Sequence, residues 1–267
     1  MSSPDEVKGC CAAAYGRDAV ALILGESYHP GGLALTRRLG RALQLRPGTA
    51  VADLASGPGT TARLLAAEFG AHVDGVDLSG VAVARATAAA ADAGMAARVR
   101  FHLGDAEALP LPDGCVDAAV CECAFCTFPD KATAAAEFAR ILRPGGRVGI
   151  TDVTVTERGL PAELTDLAGW IACIADARPV DEYSRILAGA GLRTTLIETH
   201  DELVSRMIDQ IQARIAVLRI TAPQKLTAAG VDLERVEHYL GLVRAAVDDE
   251  LIGYTLLVAR KPGQEQA

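Results

Sequence analysis

Val51-Ala52-Asp53-Leu54-Ala55-Ser56-Gly57-Pro58-Gly59-Thr60-Thr61 is an apolar run that ends in a carboxylate and breaks into small residues before a helical pattern begins. It reads as a strand, a tight turn and the start of a helix. The spacing Asp53-x-Ala55-x-Gly57-x-Gly59 keeps side chains small or absent, so backbone can approach a ligand closely just ahead of a helix N-terminus.

A glycine pattern of this kind is a weak signal alone. Position strengthens it, because a second strand-like run, Ala71-His72-Val73-Asp74-Gly75-Val76-Asp77, also ends in a carboxylate. Asp53 to Asp77 spans 24 positions, near the roughly 20 between a nucleotide-binding turn and a ribose-binding acid in a βαβ unit. The alternative is an ordinary strand-to-helix turn with a surface aspartate.

Outward from this stretch the pattern alternates. Strands are predicted at Ala50 to Leu54, Val73 to Val76, Val99 to His102, Ala118 to Cys121, Arg147 to Thr151 and Arg193 to Glu198. Helices fall between them at Thr61 to Phe69, Gly80 to Ala93, Lys131 to Leu142 and Val180 to Ala190. Short apolar strands separated by helices predict an α/β fold with a doubly wound, mostly parallel sheet of seven strands. Ligands on such sheets sit at the carboxyl ends of the strands, where Asp53, Asp77, Asp105, Cys121 to Cys123 and Asp152 fall.

Residues 1–45 read as an N-terminal helical segment and 46–200 as the core. In 201–250 strand signals stop. Met207, Ile208, Ile211, Ile215 and Leu218 recur at helical spacing, as do Leu233, Val236, Tyr239, Leu240 and Val243 behind an N-cap at Asp232. Gly253 to Ala259, within 251–262, then reads as the last strand. The helical insertion suits a lid over a pocket; a homodimerisation element is the alternative. Gly263 to Ala267 reads as a frayed tail.

Half of the 267 residues are hydrophobic, enough for a substantial core. A net charge of −8 argues against nucleic-acid partners, which need a basic surface. No apolar run reaches the roughly 18 residues of a membrane span, and the polar start Met1 to Glu6 lacks the features of a signal peptide. A cytoplasmic protein with no membrane partner is expected, its seven cysteines thiols rather than disulfides.

Four motifs in order, Asp53 to Gly59, Asp77, Gly104-Asp105-Ala106-Glu107 with Leu109-Pro110-Leu111-Pro112-Asp113, and Ile141-Leu142-Arg143-Pro144-Gly145-Gly146, resemble class I S-adenosylmethionine-dependent methyltransferases. The resemblance implies S-adenosylmethionine as cofactor. It implies that backbone around Ala55, Gly57 and Gly59 packs on the methionine part, with Asp53 in the same loop. Asp77 would accept from the ribose hydroxyls and Asp105 from the adenine amino group, with Leu78, Ala106 and Glu122 in the same cleft. Carboxylates suit paired donors because they only accept. Ala55 stands where the family usually has glycine.

A finer resemblance concerns the cysteines. Asp117 to Lys131, Thr151-Asp152-Val153 and Trp170-Ile171-Ala172-Cys173-Ile174-Ala175 are similar to arsenite methyltransferases. That resemblance implies Cys123 and Cys173 as ligands of trivalent arsenic, with Cys10 or Cys11 as a third thiolate. Thiolates prefer soft centres, and arsenic held pyramidally would present its lone pair to the methyl group without any general base. Cys115 reads as a buried small hydrophobe, and Cys121 and Cys126 as either core or pocket residues. A small organic acceptor of quinone or natural-product type is the other reading. For it, His29 or Asp152 would be a general base, although His29 also reads as an ordinary loop histidine. A thiol-based sensor that binds the cofactor without turnover is the non-enzymatic reading.

Overall fold

A computed structural model describes residues 4–15, 18–25, 28–165 and 174–263. Helices α1 (Pro4–Tyr15), α2 (Asp18–Leu24) and α3 (Gly32–Ala42) precede the sheet. The sheet is built from β1 (Ala50–Leu54), β2 (His72–Asp77), β3 (Val99–Leu103), β4 (Val116–Glu122), β5 (Leu142–Val155), β6 (Arg193–Thr199) and β7 (Ile252–Arg260). Helices α4 (Thr60–Phe69), α5 (Gly80–Asp92), α6 (Lys131–Ile141) and α7 (Val180–Gly189) fall between strands. Then α8 (Glu202–Thr221), α9 (Pro223–Ala228) and α10 (Leu233–Asp248) separate β6 from β7.

The strand order is β3-β2-β1-β4-β5-β7-β6. β1, β2, β3, β4 and β5 pair in parallel, and β7 runs antiparallel between β5 and β6. The mostly parallel, seven-stranded expectation is met, with the helical insertion where the apolar periodicity put it. The chain reverses direction across the sheet between β1 and β4, so loops leaving their carboxyl ends splay apart and open a crevice.

Two strand ends depart from the sequence pattern. β5 begins at Leu142 rather than Arg147, running through Pro144-Gly145-Gly146. Proline and glycine weaken strand signals, but Gly145 N–H finds the carbonyls of Lys261 and Pro262, and Lys261 N–H returns to Gly146 O. α6 correspondingly stops at Ile141.

β1 and β4 read as near-continuous apolar runs because the sheet is covered on both faces; Val51, Ala52, Leu54, Ala119 and Val120 are fully buried. On one face Leu39 of α3 and Leu43, its C-cap, press on Gly149 of β5, where an added Cβ would sit 2.5 Å from Leu39 Cδ1. Burying a leucine this fully contributes roughly 1.5–3 kcal/mol, so α3 is held firmly and with it the loop ahead of it. On the other face Phe125 meets Phe128 edge-on, with ring centroids 6.0 Å apart, and packs on Phe138 and Tyr183. That cluster anchors the turn after β4. Among the described residues no helix is long and apolar enough to cross a membrane.

Candidate active site

The loop after β1 is shaped by positive φ angles at Ala55 (58°), Gly57 (51°) and Gly59 (72°). Ser56 N–H bonds Val76 O and Gly59 N–H bonds Ser56 O, which turns the chain sharply into α4. The two glycines serve different ends. A Cβ on Gly57 would meet nothing within 4 Å, because that face opens on a cavity. A Cβ on Gly59 would fall 2.4 Å from the Phe101 ring, which also blocks any side chain at Gly75. Gly59 therefore answers to packing and to its place as α4 N-cap, and it does not line the cavity, contrary to the expectation for this loop.

That cavity lies along the carboxyl edge of the sheet. Asp53, Ala55, Ser56, Gly57, Asp77, Leu78, Asp105, Ala106, Glu122, Cys123 and His29 all line it. Thirteen of the fourteen predicted positions are covered by described backbone, and ten of these converge here. Asp77 is clamped by its own neighbourhood: Oδ2 accepts from Gly57 N–H and Oδ1 from Ser79 N–H, both at 2.8 Å. Burial raises its carboxyl above the ordinary range, and those two N–H groups pull it back. Asp105 Oδ1 accepts from Glu107 N–H at 2.9 Å, while Oδ2 meets Lys8 Nζ of α1 at 2.7 Å.

Asp53 is the most deeply buried of the acids that line the cavity. Burial first, and then the charge of Glu122, push its carboxyl well above the ordinary range; Ala62 N–H opposes them, and Asp77 adds to the push. Its Oδ2 and the nearby Ser56 Oγ are buried with no protein hydrogen-bond partner. Such atoms in a cavity wall await a donor or acceptor from a ligand.

Glu122, the last residue of β4, accepts from Thr61 Oγ at 2.6 Å and from Thr36 Oγ at 3.0 Å on Oε2. His29 Nδ1–H donates to Pro30 O at 3.1 Å, which leaves Nε2 facing Glu122 Oε2 at 3.5 Å. Both ring nitrogens of His29 are thus turned toward protein atoms. Asp152 also differs from its expected place as a base: its oxygens accept from Cys126 N–H and Val153 N–H, and it lines neither cavity. It braces the turn after β4.

The cysteines separate. Cys123 has a left-handed backbone (φ 53°), its N–H bonding Thr151 O at 2.7 Å, and it lines the cavity. Cys121 and Cys126 are buried core residues, and burial pushes the Cys121 thiol well up. Cys115 is half-buried and likewise raised by burial. Cys10 is exposed on α1 and lines neither cavity, because the helix turns it to solvent. Cys11 lies in the same helix, whereas Cys173 lies outside the described residues. Among the described residues no group of three His, Cys, Asp or Glu side chains is placed to hold a metal ion.

A second cavity of about 600 Å3 adjoins the first, and Tyr15, Tyr28 and Cys123 belong to both. The two tyrosine rings lie 6.2 Å apart. Its walls are α2 (Val20, Ile23, Leu24), α8 (Met207, Ile208, Ile211) and α10 (Val236, Tyr239, Leu240, Val243). Among the described residues lining it, Asp232 and Arg235 are the only charged ones. Sequence reasoning found the helical stripes and offered the insertion as a lid over a pocket or a dimerisation element, but it passed over Thr36, Thr61, Ser56 and Lys8 as site residues. Only Thr61 carried a local signal, its place in the first turn after the glycine loop.

Residues 51–146 match the family model described as a methyltransferase domain. The chain is 32% identical over 230 residues to the 27-O-demethylrifamycin SV methyltransferase of Amycolatopsis mediterranei, covering 85% of this chain and 83% of that protein. It is 35% identical over 162 residues to the arsenite methyltransferase of Halobacterium salinarum, covering 59% of this chain and 41% of that one. Its fold is similar to that of the phosphoethanolamine N-methyltransferase 2 of Haemonchus contortus in complex with S-adenosyl-L-methionine, with a TM-score of 0.79 at 21% identity, over 91% of this chain and 56% of the other. With the ordered sheet, the glycine loop and the acids along one edge, this similarity shows that the chain belongs to the class I S-adenosylmethionine-dependent methyltransferases.

Proposed function

We propose that this methyltransferase acts on a small organic molecule with a large apolar body, of the natural-product or quinone type. The observation that carries the reading is the apolar cavity of about 600 Å3 joined to the acid-lined one at Tyr15, Tyr28 and Cys123. A volume of this order suits a drug-sized ligand. Similarity to a relative named for 27-O-demethylrifamycin SV supports the same reading.

The residues present fit the cofactor. Asp53 Oδ2 and Ser56 Oγ are orphaned in the wall, Gly57 leaves room for close approach, and Asp77 keeps lone pairs for paired hydroxyls. Asp53 and Glu122 would hold the ammonium of the methionine part, Asp77 the ribose and Asp105 the adenine amino group. When bound, S-adenosylmethionine supplies an electrophilic methyl group on a sulfonium. The chain's own work is positioning: Tyr15, Tyr28 and Cys123 hold the acceptor's nucleophile at the junction, and the walls of α2, α8 and α10 exclude water. A phenolic or quinol acceptor that enters as its anion, its proton already left in solvent, takes the methyl group as the carbon–sulfur bond breaks to leave a thioether. His29, with its nitrogens facing Pro30 and Glu122, orients the site rather than receiving that proton.

Trivalent arsenic held by thiolates is a second reading, favoured by the place of Cys123 at the junction and by the arsenite methyltransferase similarity. One assay separates the two. Purified protein is given labelled cofactor with a panel of hydrophobic phenols and quinols, or with arsenite and thiol, as wild type and as Cys123→Ser. Turnover of an apolar acceptor that falls less than about fivefold in Cys123→Ser is the expected result. Turnover of arsenite alone, lost in the variant, would overturn the organic reading.

A further inference from the structure

Glu122 gathers four parts of the chain: its own strand β4, the loop bearing His29, α3 through Thr36 and α4 through Thr61. Its side chain is only 4% exposed, yet among the described residues no lysine or arginine pairs with it. The donors concentrate on one oxygen. Thr61 reaches Oε2 at 2.6 Å, and the single hydroxyl hydrogen of Thr36 has Oε2 at 3.0 Å and Oε1 at 3.2 Å as its nearest acceptors, with His29 Nε2 at 3.4 Å and Gly32 O at 3.5 Å beyond them. Oε1 is left with the weaker share of one hydroxyl, on a carboxylate in the cofactor wall.

We propose that Thr36 and Thr61 are positioning residues that hold Glu122 with Oε1 turned to the ammonium of the methionine part of the cofactor, an inference that rests on the cofactor reading above and makes the N-terminal segment a component of the cofactor site. Two features point this way. Hydroxyl donors orient a carboxylate without neutralising it, so its field stays available to a cation, whereas a lysine or arginine partner would have consumed it. The long glutamate side chain is also ordered during folding, so binding is spared that entropy. Asp53 Oδ2, buried and without a partner in the same wall, supplies a second acceptor for an ammonium that carries three donors.

The contact makes a distinction that fold stability alone would not. S-adenosylhomocysteine carries the ammonium; 5′-methylthioadenosine has the same nucleoside and thioether but lacks the amino acid. By titration calorimetry Thr36→Val is expected to weaken S-adenosylhomocysteine by about tenfold and to change 5′-methylthioadenosine by less than about twofold, with Thr36→Ser restoring the first. Glu122→Gln, which keeps the side chain's shape, should give the same split and replaces Thr36→Val if that variant does not fold. Equal losses for both ligands, or no loss of S-adenosylhomocysteine, would overturn the proposal. None of these measurements uses a methyl acceptor, so the result stands apart from the question of which acceptor is used.

Discussion

Asp53 shows how a buried acid can be unfavourable in the free protein and useful when loaded. Its folded carboxyl is raised well above the ordinary range, by burial first and by Glu122 next. A raised folded value means that its contribution to stability is fully present below the ordinary carboxylate range and is lost as pH rises through the folded value. The free wild-type protein should therefore lose stability across that window, and Asp53→Asn should lose less, as denaturant unfolding at pH 5 and pH 8 would show. The same variant should bind S-adenosylhomocysteine more weakly; unchanged binding would remove Asp53 from the ammonium site. Ala55 is a neighbouring lesson. The loop needs a left-handed residue there, and an alanine in that region costs roughly 1–2 kcal/mol relative to its normal conformation. Glycine-loop spacing, the acids at strand ends and Cys123 were all legible in the sequence because local backbone demands and strand periodicity encode them. Thr36 was not, since its meeting with Glu122 joins residues 86 positions apart and no local pattern records that; His29 was singled out as a base, but its place beside Glu122 follows from the fold alone.

At the scale of elements, the apolar cavity is made mostly by helices, with Val153 and Ile252 contributed by the sheet. α8 and α10 present Met207, Ile208 and Ile211 against Val236, Tyr239, Leu240 and Val243, with α2 closing the remaining side. Each stripe follows the three- and four-residue spacing that the sequence displays, so the helices themselves were predictable. Periodicity identifies an apolar face but not whether that face meets another helix or an opening, which is why the sequence left a lid over a pocket and a dimerisation element both open. Val236→Trp should narrow the cavity. Methylation of an apolar acceptor is expected to fall by more than about tenfold while affinity for S-adenosylhomocysteine stays within about twofold, because α10 does not contribute to the acid-lined cavity. Undiminished turnover would place the acceptor elsewhere. The turn after β4 works differently: Phe125, Phe128 and Phe138 fix it from below and Asp152 bonds its backbone, so Cys123 is presented by a rigid support.

For the whole molecule, cofactor and fold are linked by mass action. The acid-lined cavity takes walls from α1, from the loop before α3 and from the ends of β1, β2 and β4. S-adenosylhomocysteine at a hundred times its dissociation constant should stabilise the folded chain by about 2.7 kcal/mol, a rise of roughly 5–10 °C in melting temperature. A thermal scan showing no concentration-dependent shift would contradict binding to the folded form. The sheet order was readable in outline from alternating strand and helix signals, but the antiparallel setting of β7 was not, because pairing partners are chosen by packing across the whole sheet. That setting has a consequence for how such a protein can change. β6 and β7 are hydrogen-bonded neighbours running in opposite directions, so residues 200–251 amount topologically to an overgrown hairpin loop. Its two ends are pinned side by side, and doubling the length of such a loop costs only about 0.6 kcal/mol in closure entropy. Helices can be added, shortened or exchanged there while every strand keeps its register, which lets the choice of methyl acceptor evolve separately from the grip on the methyl donor.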